Sequence, residues 1–298
     1  MELNTVLMVY AEVIQGRISE DARCPVCGSN KSCVLYRTKV LILRCTQCSH
    51  AFTAPHSIDH QEAYQEDYYE NTHRNWFSNP NIPLFRWIAS NLPNTTRQLL
   101  DAGCGKGDFL RYLRDHAGWP MRLVGVDFSA NKPETGIEYY QGDLLQMPSE
   151  EKFDAVVSLA VIEHVTDPIG FAHTIAARCR GGGVVVVMTL NNDSLLYSCA
   201  RLLAKFGIKG PADRLYSQHH LQHFTRNSLV MTLELAGCEL VSVHHHNTPL
   251  AAIDFPAPNR IVRNIFLAGV AMLYWLGLAT NKAYLQTIIA RRRGFSIQ

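Results

Sequence analysis

The chain contains the stretch Leu99-Leu100-Asp101-Ala102-Gly103-Cys104-Gly105-Lys106-Gly107-Asp108-Phe109-Leu110. An apolar strand runs here into a glycine-rich turn, and the apolar residues after the turn predict a helix. Glycines let the backbone turn sharply and approach a ligand closely, as in nucleotide-binding loops. Asp101 and Asp108 place negative charge beside these glycines. Because two carboxylates would repel a pyrophosphate, the stretch favours a nucleotide-like ligand that is not anionic.

Carboxylates also follow the next two predicted strands. Residues 121–126 predict an apolar strand that ends at Asp127, where a carboxylate can accept hydrogen bonds from both ribose hydroxyls. Residues 137–142 predict a third strand, and the Asp143 carboxylate after it can accept from an adenine amino group. Residues 153–159 and 184–188 predict a fourth and a fifth strand. An open α/β sheet would collect these side chains at the carboxyl ends of its strands.

Taken in order, these motifs resemble those of the class I S-adenosylmethionine-dependent methyltransferases over residues 97–245. The resemblance implies an α/β fold, with a Rossmann-like, seven-stranded methyltransferase sheet and helices on both faces. It also implies the cofactor S-adenosylmethionine, which has a sulfonium, an ammonium and no phosphate. The positions that match the cofactor-binding residues of the family are Asp101, Gly103, Gly105, Gly107, Asp127, Asp143 and Leu144.

The same resemblance gives each position a role. The glycine loop with Asp101 would hold the methionine part, Asp127 the ribose, and Asp143 with Leu144 would flank the adenine. One departure from the family pattern is visible, because only residues 128–136 separate the second predicted strand from the third. Proline and glycine lie within that segment, so we expect the usual crossover helix to be short or absent there.

The amino-terminal part contains two pairs of closely spaced cysteines. The pairs are Cys24 with Cys27 and Cys45 with Cys48, and residues 28–44 lie between them. This spacing lets two tight turns face each other and supply four thiolates to a tetrahedral Zn²⁺. Four sulfur ligands close the coordination shell. The sequence therefore predicts a small zinc ribbon, with a structural metal, in front of the methyltransferase sheet.

The length of 298 residues and the formal net charge of +2 suit one α/β domain with smaller additions. We expect an amino-terminal segment with the zinc ribbon at residues 1–55, a helical linker or lid at 56–95 and the methyltransferase domain at 96–298. The linker includes the acidic, tyrosine-rich residues 64–70, a candidate lid. This order of segments resembles a subgroup of small-molecule methyltransferases associated with bacterial glycan, glycolipid and natural-product pathways.

Two histidines are candidates for the general base that a hydroxyl acceptor needs, because imidazole titrates near neutral pH. His164 directly follows the fourth strand. His220 lies in a histidine-rich run before a helix predicted at residues 227–236. In the resembling subgroup, a His-Leu pair followed by Phe and Ser or Thr occupies this point, which matches residues 220–225. The alternative is that these histidines only bond a loop and that no dedicated base exists.

Residues 265–279 are apolar, with Arg260 and Arg263 before them and Lys282 after them. The run falls short of the roughly 20 residues that span a bilayer. Because residues 284–290 predict a final strand that returns to the sheet, we expect a helical insertion at about 258–280. Three environments are compatible with this insertion: it is buried against the domain, it pairs in a homodimer, or it contacts a membrane surface.

Together these features predict a methyltransferase that uses S-adenosylmethionine and acts on a small-molecule, sugar or lipid-linked acceptor, with oxygen favoured as the acceptor atom. We expect a cytoplasmic protein, and peripheral contact with the inner membrane face stays open. One alternative is an RNA methyltransferase whose ribbon contacts RNA, and another is a non-catalytic scaffold that binds S-adenosylmethionine. The small net charge and the acids after the ribbon argue against nucleic acid as a partner.

Overall fold

Two sheets build the protein, of which a computed structural model describes residues 22–38, 40–54, 75, 78–148, 150–253 and 259–294. The strands in chain order are β1 (Ser32–Arg37), β2 (Leu41–Cys45), β3 (Ala51–Thr53), β4 (Gln98–Ala102), β5 (Arg122–Asp127), β6 (Ile137–Gln141), β7 (Phe153–Leu159), β8 (Cys179–Leu190), β9 (Gln222–His223), β10 (Cys238–His246) and β11 (Leu285–Arg292). The tyrosine-rich candidate lid at 64–70 lies outside the described residues. The expected division of the chain at residues 55 and 95 therefore stays a prediction.

The larger sheet has seven strands in the order β10-β11-β8-β7-β4-β5-β6. The strands β4 to β8 run parallel to one another, and β11 is antiparallel to both of its neighbours. The glycine-rich turn follows β4. On one side of β4 the chain continues to β5 and β6, and on the other side to β7 and β8, so the order in which strands are added reverses here. Ligands of open α/β sheets bind at such a switch point.

Seven helices surround the sheet in the described part of the chain. They are α1 (Ile82–Asn91), α2 (Asp108–His116), α3 (Pro168–Arg178), α4 (Leu195–Lys205), α5 (Gly210–Leu215), α6 (Arg226–Leu235) and α7 (Arg260–Ala279). The helix expected at 227–236 begins one residue earlier, because Thr225 and Ser228 form a reciprocal capping box at its amino end.

Helices cover both faces of the sheet, as the resemblance implied. Successive side chains of a strand point to opposite faces. In β8, Val185 and Val187 pack in one buried cluster with residues of α3 and α6. Val184 and Val186 pack in a second cluster with residues of α1, α2 and α4. The Rossmann-like, seven-stranded sheet is therefore confirmed.

No helix connects β5 to β6, which confirms the expected departure from the family pattern. Residues 128–136, all of them described, form turns and a single bridge between Glu134 and Ile137. The Asn131 side-chain amide in this segment donates to the Gly105 carbonyl oxygen at 2.8 Å. The short connection therefore packs directly on the glycine-rich turn.

The apolar insertion between β10 and β11 is a single helix that lies within the expected bounds of about 258–280. The side chain of Asn259 accepts from the Val262 amide at 2.9 Å and so begins α7 at Arg260. The helix has 20 residues, long and apolar enough to cross a membrane by length and composition. The expectation that this run falls short of a membrane span was therefore wrong, because both flanking arginines belong to the helix.

Candidate active site

A cavity of about 1060 Å³ opens at the carboxyl ends of the central parallel strands. Residues at the ends of β4, β5, β7 and β8 line it, together with residues from α1 and from the loop before β9. Its volume lies at the upper end of ordinary ligand pockets, which reach about 1,000 Å³. The cavity therefore has room for a cofactor and a second molecule.

The glycine-rich turn forms one wall of this cavity. Gly103, Gly105 and Gly107 have φ angles of 81°, 53° and 80°, a region that favours glycine. A Cβ at Gly103 would lie 2.3 Å from a methyl carbon of Val161, in the loop after β7. Gly105 lines the cavity, and a Cβ there would meet no atom within 4 Å. The turn thus presents bare backbone to the cavity.

Gly107 lies behind the turn. It precedes the first residue of α2, and a Cβ on it would lie 2.1 Å from the Tyr139 hydroxyl oxygen. The other predicted cofactor residues all line the cavity. In this structure Gly107 permits close packing of α2 against β6.

Asp127 is held in one orientation by backbone amides. Its Oδ2 atom accepts from Gly105 N at 2.8 Å, and its Oδ1 atom accepts from Ser129 N at 2.8 Å. A carboxylate oxygen can accept more than one hydrogen bond. The side chain therefore keeps acceptor capacity for a ligand while it fixes the turn.

Asp101 is buried at the end of β4 and lines the same cavity. Burial and the negative charge of Asp127 raise the pKa of Asp101 to about 8. Its Oδ1 atom is buried without a hydrogen-bond partner in the described structure. A buried acceptor that lacks a donor is destabilising, and a cationic ligand with N–H donors would satisfy it. The charge and shape of this wall thus fit S-adenosylmethionine.

The far end of the cavity lies beside β6. Asp143 accepts from the Leu145 amide at 2.9 Å and caps the short 3₁₀ turn Leu144–Gln146. Phe128 and Leu145 line this end, and their side chains are 64% and 70% exposed. Two exposed apolar side chains here could contact the faces of an aromatic base. Neither was predicted as a site residue from the sequence, although Phe128 directly follows Asp127 and Leu145 lies two residues after Asp143.

His164 and His220 meet at the opposite end of the cavity. Their ring centres lie 5.0 Å apart, with an angle of 56° between the ring planes. The Nδ1 atom of His164 lies 2.8 Å from the carbonyl oxygen of His219. Since a carbonyl only accepts, Nδ1 carries the proton, and Nε2 is the unprotonated nitrogen of the neutral ring. Burial lowers the pKa of His164, which keeps it neutral near pH 7.

Glu163 is a site residue that the sequence did not lead us to predict. It lines the cavity, and its Oε2 atom accepts from the Thr189 hydroxyl at 2.8 Å. Burial raises the pKa of Glu163 to about 7. Its backbone oxygen accepts from the amides of Leu221 and Gln222 at 2.8 and 2.9 Å. The residue therefore joins the loop after β7 to the loop that carries His220.

The four predicted zinc ligands converge at the amino-terminal end of the described chain. The sulfur atoms of Cys24, Cys27, Cys45 and Cys48 all lie within 4.8 Å of one another. The sulfur pairs Cys24–Cys48 and Cys27–Cys45 are 3.5 Å apart. Tetrahedral zinc with Zn–S bonds of about 2.3 Å places its sulfurs about 3.8 Å apart. The donor set and its spacing thus fit a structural Zn²⁺.

The ribbon is joined to the wall of the cavity by strand pairing. β3 pairs antiparallel with β9 and completes the sheet β1-β2-β3-β9. The amide of Thr53 donates to the Leu221 carbonyl at 2.9 Å, and its hydroxyl donates to the His220 carbonyl at 3.0 Å. The buried ring of His50 lies 2.9 Å from Gln222 Oε1. The ribbon therefore supports the loop that carries His220.

Comparison with known proteins identifies the family of the larger domain. The family described as "Methyltransferase domain" matches residues 60–243. A ubiquinone biosynthesis O-methyltransferase of Bradyrhizobium sp. (strain ORS 278) is 32% identical over 122 residues, which cover 38% of this chain and 47% of that protein. The corresponding protein of Rhodopseudomonas palustris (strain BisB18) is 33% identical over 156 residues, which cover 47% of this chain and 60% of that protein. The chain thus matches about half the length of these curated relatives.

Solved structures show the same fold at low sequence identity. A chain from the complex between the Haloferax volcanii Trm112 methyltransferase activator and a methyltransferase aligns with a TM-score of 0.52 at 15% identity, covering 77% of this chain and 93% of that chain. The Burkholderia thailandensis 1,6-didemethyltoxoflavin-N1-methyltransferase aligns with a TM-score of 0.50 at 15% identity, covering 83% of this chain and 97% of that chain. The family match over residues 60–243 shows that the chain belongs to the methyltransferase-domain family, with a cluster of four cysteines before the sheet of that domain.

Proposed function

We propose that the protein transfers a methyl group from S-adenosylmethionine to a hydroxyl oxygen of a small-molecule or lipid-linked acceptor. One observation carries this proposal: a single cavity joins the buried carboxylate of Asp101 to the pair His164 and His220. A cationic cofactor and a proton acceptor are the two requirements of methyl transfer to a hydroxyl. The names of the curated relatives, ubiquinone biosynthesis O-methyltransferases, support oxygen as the acceptor atom.

The carboxylates and the glycine-rich turn would bind the cofactor. Bound S-adenosylmethionine supplies an electrophilic methyl group on a sulfonium. In our proposal Asp101 accepts from the ammonium group and Asp127 from the ribose hydroxyls. Asp143 and Leu144 lie at the adenine end, beside the exposed ring of Phe128. The bare backbone at Gly105 lets the ligand lie against the turn.

The two histidines would remove the acceptor proton. The His219 carbonyl holds the proton of His164 on Nδ1, so Nε2 is the basic nitrogen of the neutral ring and would accept the proton. Because burial keeps His164 neutral, it can accept a proton at pH 7. His220 lies against it and would share this role or orient the hydroxyl. Displacement at a sulfonium needs an aligned, electron-rich oxygen, which this pair would provide.

We expect His164→Ala and His220→Ala to lower turnover while cofactor binding stays nearly constant. General bases contribute about 10²- to 10⁴-fold to proton-transfer steps, so the rate at pH 7 should fall at least about 100-fold in one of the two variants. Turnover of that variant should rise with pH, because hydroxide or a deprotonated acceptor replaces the base. His116→Ala is the matched control, since this ring stacks on Tyr112 at the surface of α2. Near-native turnover of both variants would exclude a base at this position.

Binding of the cofactor should release a proton. Asp101 has a pKa of about 8 in the ligand-free protein, so most molecules carry a protonated side chain at pH 7. An ammonium beside it favours the carboxylate, and affinity should therefore fall almost tenfold for each pH unit below about 7.5. Calorimetry with S-adenosylhomocysteine in buffers of different ionisation heat measures the released proton. Asp101→Asn should bind more weakly and without this pH dependence, whereas a flat profile of the native protein would refute the assigned role.

Transfer of a labelled methyl group into fractionated extract tests the proposed acceptor class. The lipid, small-molecule and RNA fractions are each incubated with the protein and labelled S-adenosylmethionine. Label in the lipid or small-molecule fraction that hot hydriodic acid releases as methyl iodide, as it does from a methyl ether, supports O-methylation. Label in RNA would replace the proposal with RNA methylation. Cofactor binding without label in any fraction would indicate a scaffold.

A further inference from the structure

The helix α7 carries a stripe of exposed apolar side chains. Ile261, Ile265, Met272 and Trp275 are 71%, 69%, 58% and 67% exposed. Their spacing of four, seven and three residues places them on one side of a helix. The stripe extends over about 21 Å at a rise of about 1.5 Å per residue. The side chains buried against the protein, Val270 and Tyr274, lie on the opposite side of the same helix.

A second segment, which follows a helix packed against α7, also exposes apolar side chains. α4 packs against α7, and the amide of Leu195 at its start donates to the Lys282 carbonyl after α7 at 3.0 Å. In the segment that follows α4, Phe206 is 77% exposed and Ile208 is 55% exposed. We call the stripe of α7 together with residues 205–209 the α7 surface. Large exposed apolar patches of this kind mark contact sites for another surface.

The charges around the α7 surface are basic. Residues 260–279 contain no Asp or Glu, and the exposed Arg260 and Arg263 lie in the first turn of α7. The exposed residues Lys205 and Lys209 flank the two apolar side chains after α4. At about 100° per residue, Arg260 borders the stripe, whereas Arg263 lies on the other side of α7 at its exposed amino end. An apolar helix face with basic residues close to it complements an anionic bilayer surface, in which apolar side chains enter the acyl boundary and cations meet lipid phosphates.

We propose that the α7 surface docks the protein on an anionic lipid membrane, with α7 lying along the bilayer surface. The helix stays attached to the protein, because the Asn247 side-chain amide donates to the Tyr274 carbonyl at 3.2 Å. A Cβ at Gly277 would lie 2.8 Å from the Lys282 carbonyl oxygen, so the end of the helix is packed closely on the chain that follows. One face of α7 thus remains with the protein, and the other faces the lipid.

The side of α7 that packs on the protein is linked to the cavity through Asn247. The Asn247 side-chain oxygen accepts from the Tyr284 amide at 3.0 Å, and Tyr284 and Thr248 both line the cavity. Membrane docking at α7 would therefore hold the cavity close to the lipid surface. It follows that an acceptor with a lipid tail reaches the cavity from the membrane. This last step rests on the proposed function, whereas docking itself does not.

Vesicle sedimentation tests the proposal without any measurement of activity. The native protein should sediment with vesicles of phosphatidylcholine and phosphatidylglycerol and bind pure phosphatidylcholine vesicles at least about tenfold more weakly. Ile265→Asp with Trp275→Asp should weaken binding to the anionic vesicles by at least about tenfold. Arg260→Glu with Arg263→Glu should remove the preference for the anionic lipid. Leu235→Asp is the matched control, because this side chain is 52% exposed on α6, outside the α7 surface.

The outcomes separate this proposal from the others. Calorimetry with S-adenosylhomocysteine should give the same affinity for all variants, which shows that they are folded. Failure of the native protein to bind anionic vesicles would overturn the proposal and leave the methyl-transfer proposal intact. A dimer in light scattering that Ile265→Asp with Trp275→Asp dissociates, combined with absence of vesicle binding, would assign the surface to a second copy of the chain instead.

Discussion

Replacement of Cys24 and Cys48 by serine is expected to remove the metal and to abolish methyl transfer while much of the cofactor affinity survives. Each turn of the ribbon then loses one thiolate, and two remaining sulfurs bind zinc weakly. Structural zinc stabilises small cysteine modules by about 10 kcal/mol or more, so the ribbon should unfold without it. The zinc content measured by elemental analysis should fall from about one zinc per chain to nearly none.

The effect on turnover follows from the pairing of β3 with β9. Without the ribbon, the carbonyls of His220 and Leu221 lose their bonds to Thr53, and the loop that carries His220 loses its support. A base displaced by about 1 Å lowers rates by about 100-fold. The glycine-rich turn is fixed instead by Asp127 and the β5 strand. Affinity for S-adenosylhomocysteine should therefore change by less than about tenfold.

Cys33→Ser is the matched control for this experiment. Cys33 is exposed on β1 and does not belong to the sulfur cluster. The control should keep its zinc, its turnover and its melting temperature. Full retention of zinc by the double variant would disprove the metal assignment. Retained turnover after loss of zinc would disprove the supporting role of the ribbon.

Substitution of Asp127 by alanine should produce the second large effect, a loss of cofactor affinity of about 100-fold or more. The carboxylate would hydrogen-bond both ribose hydroxyls, and each hydrogen bond to a charged group contributes about 1.5 to 3 kcal/mol. Loss of two such bonds amounts to at least about 3 kcal/mol, which corresponds to more than 100-fold in the dissociation constant. The variant also frees the amides of Gly105 and Ser129, which now donate to this side chain.

The same variant should alter the titration of Asp101. The negative charge of Asp127 contributes to the raised pKa of Asp101, so its removal should lower that pKa and shift the pH dependence of binding to lower pH. Asp115→Ala is the control, because this carboxylate lies on the surface of α2 beside Arg114. Calorimetry with S-adenosylhomocysteine between about pH 6 and 8 measures both effects. A dissociation constant within threefold of the native value, at about 0.7 kcal/mol, would contradict the ribose contact.

Much of this arrangement was predictable from the sequence because parallel strands bring their carboxyl ends together. Asp101, Asp127 and Asp143 each lie at or just after the carboxyl end of a strand, and they line one cavity although they are far apart along the chain. The same reasoning could not locate Gly107, since its closest contact is the Tyr139 hydroxyl on β6. A glycine that permits packing and a glycine that faces a ligand look alike in a sequence.

Other features depend on contacts that no local pattern encodes. β9 has two residues, too few for a periodic signal, and its partner β3 has three. Tyr284 reaches the cavity only because α7 ends where it does. The insertion was expected at about 258–280, with Arg260 and Arg263 placed before its apolar run. The Asn259 cap includes them in the helix.

The shared strand β9 also sets an order of events during synthesis of the protein. The cysteines leave the ribosome first, but the strand that completes their sheet follows about 170 residues later, as the His50–Gln222 bond spans 172 positions. A nascent chain can bind zinc early, but the edge of β3 stays open until β9 has emerged after β4 to β8. Pairings over such distances form slowly. Chaperone contact with the growing chain is therefore expected to concentrate on that edge.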